Sequence, residues 1–147
     1  MNPDFLDMLS ALSAEDVEFL LVGAYALSVH GHPRATGDLD LWVRNHPVNA
    51  SRVYRALAKF GAPIGKLKES DFCNDDLVFQ IGVVPNRIDI LTHVDGLNFE
   101  EAWKDREKVE IEGQQIPVIS KANLIRNKRA TGRARDRLDA QMLEDDQ

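Results

Sequence analysis

Three aspartates carry the residue types and spacing best suited to chemistry. In "RATGDLDLWV", Arg34 to Val43, Asp38 and Asp40 stand two apart in an otherwise apolar run. In "RIDIL", Asp89 stands between Ile88 and Ile90. Residues i and i+2 of a strand point to one side, so Asp38 and Asp40 are expected side by side. Asp89 joins them if its strand pairs beside theirs. Neighbouring anions repel and raise one another's pKa unless something positive lies between them. A hard divalent cation meets that need, and Mg²⁺ takes a few carboxylates plus substrate phosphates. Three acids on neighbouring strands make a two-metal site for phosphoryl or nucleotidyl transfer. The ions there clamp a triphosphate, neutralise the transition state and lower the pKa of an attacking hydroxyl. The alternative is a strand whose polar side faces solvent, which also shows Asp at i and i+2.

Other residues are weighed around these acids. Gly23 ends an apolar run immediately before a helical segment. Amides at a helix start can receive a phosphate and glycine permits close approach, although a plain turn also uses glycine there. Residues 121 to 137 carry Lys121, Arg126, Lys128, Arg129, Arg133, Arg135 and Arg137 against one acid, Asp136. This is either a phosphate-binding patch or a solvated helix face. His30 and His32 in "HGH" lack partners at ligand spacing and read as a loop pair. His93 reads as a strand-end polar residue. Trp42 shares the acid side, to stack on a base or to cover the sheet. Asp75 and Asp76 read as loop acids, and the single cysteine, Cys73, as structural.

The elements that must position these residues follow from periodicity. "PDFLDMLSAL" has Phe5, Leu6, Leu9 and Leu12 at helical spacing behind Pro3. "VEFLLVG" reads as a strand, "AYALSVHG" as a helix closed by Gly31 and "HPRATG" as a loop. "DLDLWV" reads as a strand with Leu39, Leu41 and Val43 on one face and Asp38, Asp40 and Trp42 on the other. "PVNASRVYRALAKFG" is the clearest amphipathic helix, with Val53, Leu57 and Phe60 sharing a face. "APIGKLKESDFCNDD" reads as a loop with room for a helical turn. "LVFQIGVV" and "NRIDILT" form a hairpin about "VPN", and "NFEEAWKD" a short helix. Two strands in "EKVEIEGQQIPVI" turn about Gly113-Gln114. Ser120 caps a helix that stops near Gly132, and "RARDRLDAQMLEDD" is a last helix with Leu138 and Met142 as its apolar contacts. The alternation predicts an α+β fold, a mixed sheet with helices packed on it.

The 147 residues, 44% of them hydrophobic and 29% charged, suit one domain with its own core, residues 1–147. No apolar run is long enough to cross a bilayer, and the acidic start lacks the basic region of a signal peptide. A cytoplasmic protein without a membrane partner is therefore expected. The net charge of −6 argues against a general nucleic-acid coat.

Together "LLVGAYAL", "RATGDLDLWV" and "RIDIL" resemble the nucleotidyltransferase superfamily of the DNA polymerase β type, in particular small bacterial AbiEii-like and uncharacterised nucleotidyltransferase-like proteins. Arg34, Thr36, Asp38 and Asp40 match an Arg-x-Thr-x-Asp-hydrophobic-Asp stretch, and Lys128, Arg133 and Asp136 match a looser C-terminal ending. The resemblance spans about Phe19 to Leu143 and implies a nucleotidyltransferase fold, an α/β sandwich completed by helices over about 120–144. It implies Asp38, Asp40 and Asp89 as catalytic ligands of Mg²⁺ or Mn²⁺, with Asp89 assisting deprotonation of the acceptor. Gly23 and Ala24 would hold an NTP's triphosphate through their amides, and Arg34, Thr36, Lys128 and Arg133 would contact phosphates. The implied reaction moves a nucleoside monophosphate from an NTP, ATP included, to a hydroxyl of RNA, protein or a small molecule, as in toxin-like members. Acceptor binding would call on a partner protein or a second subunit. Ala24 departs from the usual second Gly or Ser, which keeps open a non-catalytic nucleotide-binding or interaction module on the same fold.

Overall fold

The chain begins with a helix whose start is set by its first three residues. In the computed structural model, which describes residues 1–34, 37–83 and 85–146, Asn2 caps helix α1 (Pro3–Ala14). Its side-chain oxygen accepts from the Asp4 amide at 2.7 Å, and Pro3 sits where no helical N–H is needed. Phe5, Met8, Leu9 and Leu12 form the buried stripe, with Met8 taking the place expected of Leu6. α1 packs on α3 (Pro47–Phe60), which ends at Gly61 in the left-handed region, φ +90°. Against α3 lies a short 3₁₀ turn, Glu69–Cys73, inside the expected loop, with Phe72 fully buried as its anchor.

Among the described residues the strands form one mixed sheet. They are β1 (Phe19–Val22), β2 (Leu39–Val43), β3 (Val78–Ile81), β4 (Ile88–Leu91), β5 (Glu107–Ile111) and β6 (Gln114–Val118), in the order β3-β4-β2-β1-β6-β5. β1 runs antiparallel to β2 and parallel to β6, and β2 runs parallel to β4. β3–β4 and β5–β6 are antiparallel hairpins. The second hairpin turns on Glu112 and Gly113, both at positive φ, one residue earlier than expected. All four residues of β1 are buried, as are Leu39, Leu41, Trp42 and Val43 of β2. Both faces of the sheet centre are therefore covered, which removes the solvent-facing reading of β2. Trp42 does not stand open beside the acids: its ring meets Phe99 edge-on at 5.0 Å.

Four further helices complete the fold: α2 (Gly23–Val29), α4 (Phe99–Lys104), α5 (Lys121–Ala130) and α6 (Ala134–Glu144). Ser120 caps α5 by accepting from the Asn123 amide at 3.1 Å. α5 and α6 pack on each other. The expected apolar contact of α6 through Leu138 is wrong, because that residue is 72% exposed. Asp136, Asp139, Ala140 and Leu143 are buried instead, at i, i+3, i+4 and i+7. Met142 is half-buried beside that stripe.

Candidate functional site

Strand register brings two of the acids together. In the parallel β2–β4 pair Asp40 lies directly opposite Asp89, and across β1 Asp40 pairs with Val22. Gly23 follows Val22 and begins α2. Its φ is +68°, and a Cβ there would lie 2.2 Å from Asp40 Oδ2. Glycine is needed twice over, for the backbone angle and for the carboxylate that occupies the space of a side chain. Asp38 lies just before β2 rather than within it.

Arg87 ties Asp38 to Asp89. Its Nε donates to Asp89 Oδ1 at 2.8 Å, and its Nη2 to Asp89 Oδ2 and Asp38 Oδ2, each at 3.1 Å. Burial, the charge of Asp89, a hydrogen bond with it and the charge of Asp38 push the Asp40 carboxyl up to about 7, against the opposing pull of Arg87. Among the described residues no three His, Cys, Asp or Glu side chains converge at metal-ligand spacing in this arrangement.

The acids open onto a cavity of about 690 Å³. One side carries Gly23, Ala24, Asp38, Asp40 and Asp89, and another carries Lys128, Arg133 and Arg135 from α5, α6 and the turn between them. Lys128 and Arg133 are held by acids of α6. Lys128 Nζ lies 3.2 Å from Asp136 Oδ1 and 3.1 Å from Asp139 Oδ2. Arg133 Nε donates to Asp136 Oδ2 at 2.8 Å, as does the Thr131 hydroxyl at 2.7 Å. Arg34 reaches across from the loop after α2, its Nη2 donating to Asp139 Oδ1 at 2.7 Å. Burial alone would push Asp136 and Asp139 up. Thr131, Lys128 and Arg133 around the first, and Arg34 and Lys128 around the second, hold both below the ordinary carboxylate range.

The structure thus brings Asp38, Asp40, Asp89, Gly23, Ala24, Arg34, Lys128 and Arg133 to one cavity. Thr36 lies outside the described residues. The histidine pair is elsewhere: His30 donates through Nε2 to the Ile119 carbonyl at 2.8 Å, and His32 Nε2 lies 2.7 Å from Asp146 Oδ2. His93 lines the cavity, 3.0 Å from Asp95 Oδ1. Sequence reading did not single out Arg87, Asp139 or Thr131. Two signals were present: Arg87 stands at i−2 from Asp89, and Asp139 stands one helical turn after Asp136.

No family model matches the chain, and no curated protein matches it. Among solved structures, it is similar to a Thermotoga maritima protein described as a "putative nucleotidyltransferase". The TM-score is 0.58 at 15% identity, over 98% of this chain and 92% of the other. The chain has a nucleotidyltransferase-type fold. At that identity the likeness speaks for the arrangement of strands and helices, including the mixed sheet expected from the sequence, and the chemistry rests on the residues themselves.

Proposed function

We propose that the protein is a metal-dependent nucleotidyltransferase, moving a nucleoside monophosphate from an NTP to an acceptor hydroxyl and releasing pyrophosphate. One observation carries this reading: Asp40 and Asp89 are paired in register at a cavity that also receives Asp38, Lys128 and Arg133. A triphosphate suits such a pocket, being anionic and in need of a cation beside the acids. The donor set fits a hard divalent ion by its chemistry. It is all oxygen, its three carboxylates exceed the one charge of Arg87, and Asp40 is pushed up by burial and by the charges of Asp89 and Asp38. Asp38, Asp40 and Asp89 would hold Mg²⁺ or Mn²⁺. When bound, the ion neutralises the triphosphate and makes a nearby hydroxyl more acidic.

The remaining steps belong to the chain. The backbone amides of Gly23 and Ala24 would receive the phosphates. Lys128 and Arg133, steadied by Asp136, face the phosphates, and Arg34 acts on the site through Asp139. The acceptor oxygen bonds to the α-phosphorus, the bond to the β-phosphate oxygen breaks, and pyrophosphate leaves. Asp89 takes the acceptor's proton. Asp38→Asn and Asp40→Asn variants are expected to reduce Mg²⁺-dependent pyrophosphate release to background. Undiminished release would sink the assignment. Labelled NTPs incubated with total RNA and protein extract would then show where the label goes.

Ala24 favours a second reading, a nucleotide-binding module without catalysis. Stabilisation by Mg²⁺ and NTP in a thermal-shift assay, with no pyrophosphate released across many acceptors, would select it.

A further inference from the structure

Arg87 makes three charge-assisted hydrogen bonds, and all three end on oxygens that the proposed metal site needs. Two grip both oxygens of Asp89 in the forked geometry that makes arginine–carboxylate pairs strong, and the third takes Asp38 Oδ2. The residue stands immediately before β4, so its backbone is fixed by the strand that carries Asp89, while its side chain stays 28% exposed. A guanidinium so placed offsets repulsion among the acids when no other cation is present. It also repels an incoming cation and occupies ligand lone pairs.

We propose that Arg87 is a built-in placeholder for the divalent cation: it offsets part of the acids' charge in the metal-free protein and must leave Asp38 and Asp89 before the ion is ligated. The inference rests on the metal-site reading above. It makes binding of the ion alone weak, because each ion must displace a bidentate arginine. The ion enters efficiently only with the triphosphate, whose phosphates add ligands and charge that the acids alone lack. Arg87 is in this sense a positioning residue that couples metal binding to nucleotide binding.

The test is direct metal binding, read by Mn²⁺ electron paramagnetic resonance on wild-type protein, Arg87→Gln and Arg87→Lys, each with and without a non-hydrolysable ATP analogue. Arg87→Gln is expected to bind Mn²⁺ alone about ten- to a hundredfold more tightly than wild type, the scale of losing charged hydrogen bonds that compete for the same oxygens. Arg87→Lys, which keeps the charge without the fork, is expected between the two. If wild type binds Mn²⁺ and Arg87→Gln binds it equally or more weakly, the placeholder is overturned and the metal reading stands. If no variant binds Mn²⁺ even with the nucleotide, the metal reading falls and this inference with it. Should Arg87→Gln fail to fold, the wild type decides through the ¹⁵Nε signal of Arg87. It is expected to shift and exchange faster with water on Mg²⁺ saturation, and an unmoved signal overturns the placeholder.

Discussion

At Gly23 a backbone angle and a side-chain position meet. The residue has φ +68°, and Asp40 Oδ2 lies 2.2 Å from where its Cβ would be. Gly23→Ala is expected to destabilise the fold by about 1–3 kcal/mol, the cost of a non-glycine residue in the left-handed region. It should also displace the Asp40 carboxylate. Urea denaturation reads the first effect and Mn²⁺ affinity the second; a midpoint unchanged from wild type would show that the turn relaxes. The acids and this glycine were legible in the sequence because strand alternation and a strand-ending glycine are local signals. Arg87 was not. An arginine at a strand start reads as a solvated charge, and the reach of its fork to Asp38 depends on β2 and β4 pairing in parallel register. That pairing is settled between segments far apart in the chain.

α6 shows the same division at the level of the element. Its existence and approximate bounds follow from composition, whereas its buried face does not. Leu138 looked like the inward residue, yet the stripe that turns in carries Asp136 and Asp139 along with Ala140 and Leu143. Two carboxylates on a buried stripe are intelligible only with Lys128, Arg133 and Arg34 in place, all three from outside Ala134–Glu144. The arrangement has a pH consequence. Both acids are held below the ordinary carboxylate range by these partners. A carboxyl more acidic in the folded state than in the unfolded chain stabilises the fold above its unfolded pKa of about 3.9. That contribution is lost as pH falls through the lower folded value. Stability measured by urea denaturation is therefore expected to fall from about pH 5 downward. The Asp136→Asn, Asp139→Asn double variant should be less stable at pH 7 and show a shallower acid slope. An unaltered slope would assign the acid sensitivity to other carboxylates.

For the whole molecule, the mixed sheet with packed helices was readable from the alternation of segments, while the strand order was not. β1 takes β2 on one side and β6 on the other, and β6 is distant in sequence. Hydrophobic pattern marks a strand as buried but does not choose its neighbours. The centre of this sheet is densely apolar, and Leu41 is fully buried in β2 between β1 and β4. Leu41→Ala is expected to cost about 2–5 kcal/mol, from lost transfer energy and the cavity left behind. Thermal denaturation checks this, and a loss well below that range would show that the neighbouring strands collapse into the gap.

The parallel contact of Leu21 with Val118 also orders events in time. The acids lie on segments that can pair early, since β1–β2 and β3–β4 are joined by short stretches of chain. The wall bearing Lys128 and Arg133 follows β6, whose pairing with β1 closes a loop of most of the chain, the kind of contact that forms late. During synthesis the carboxylates emerge well before Lys128 and Arg133. The two halves of the cavity have separate birthdays, and the pocket exists only after the second.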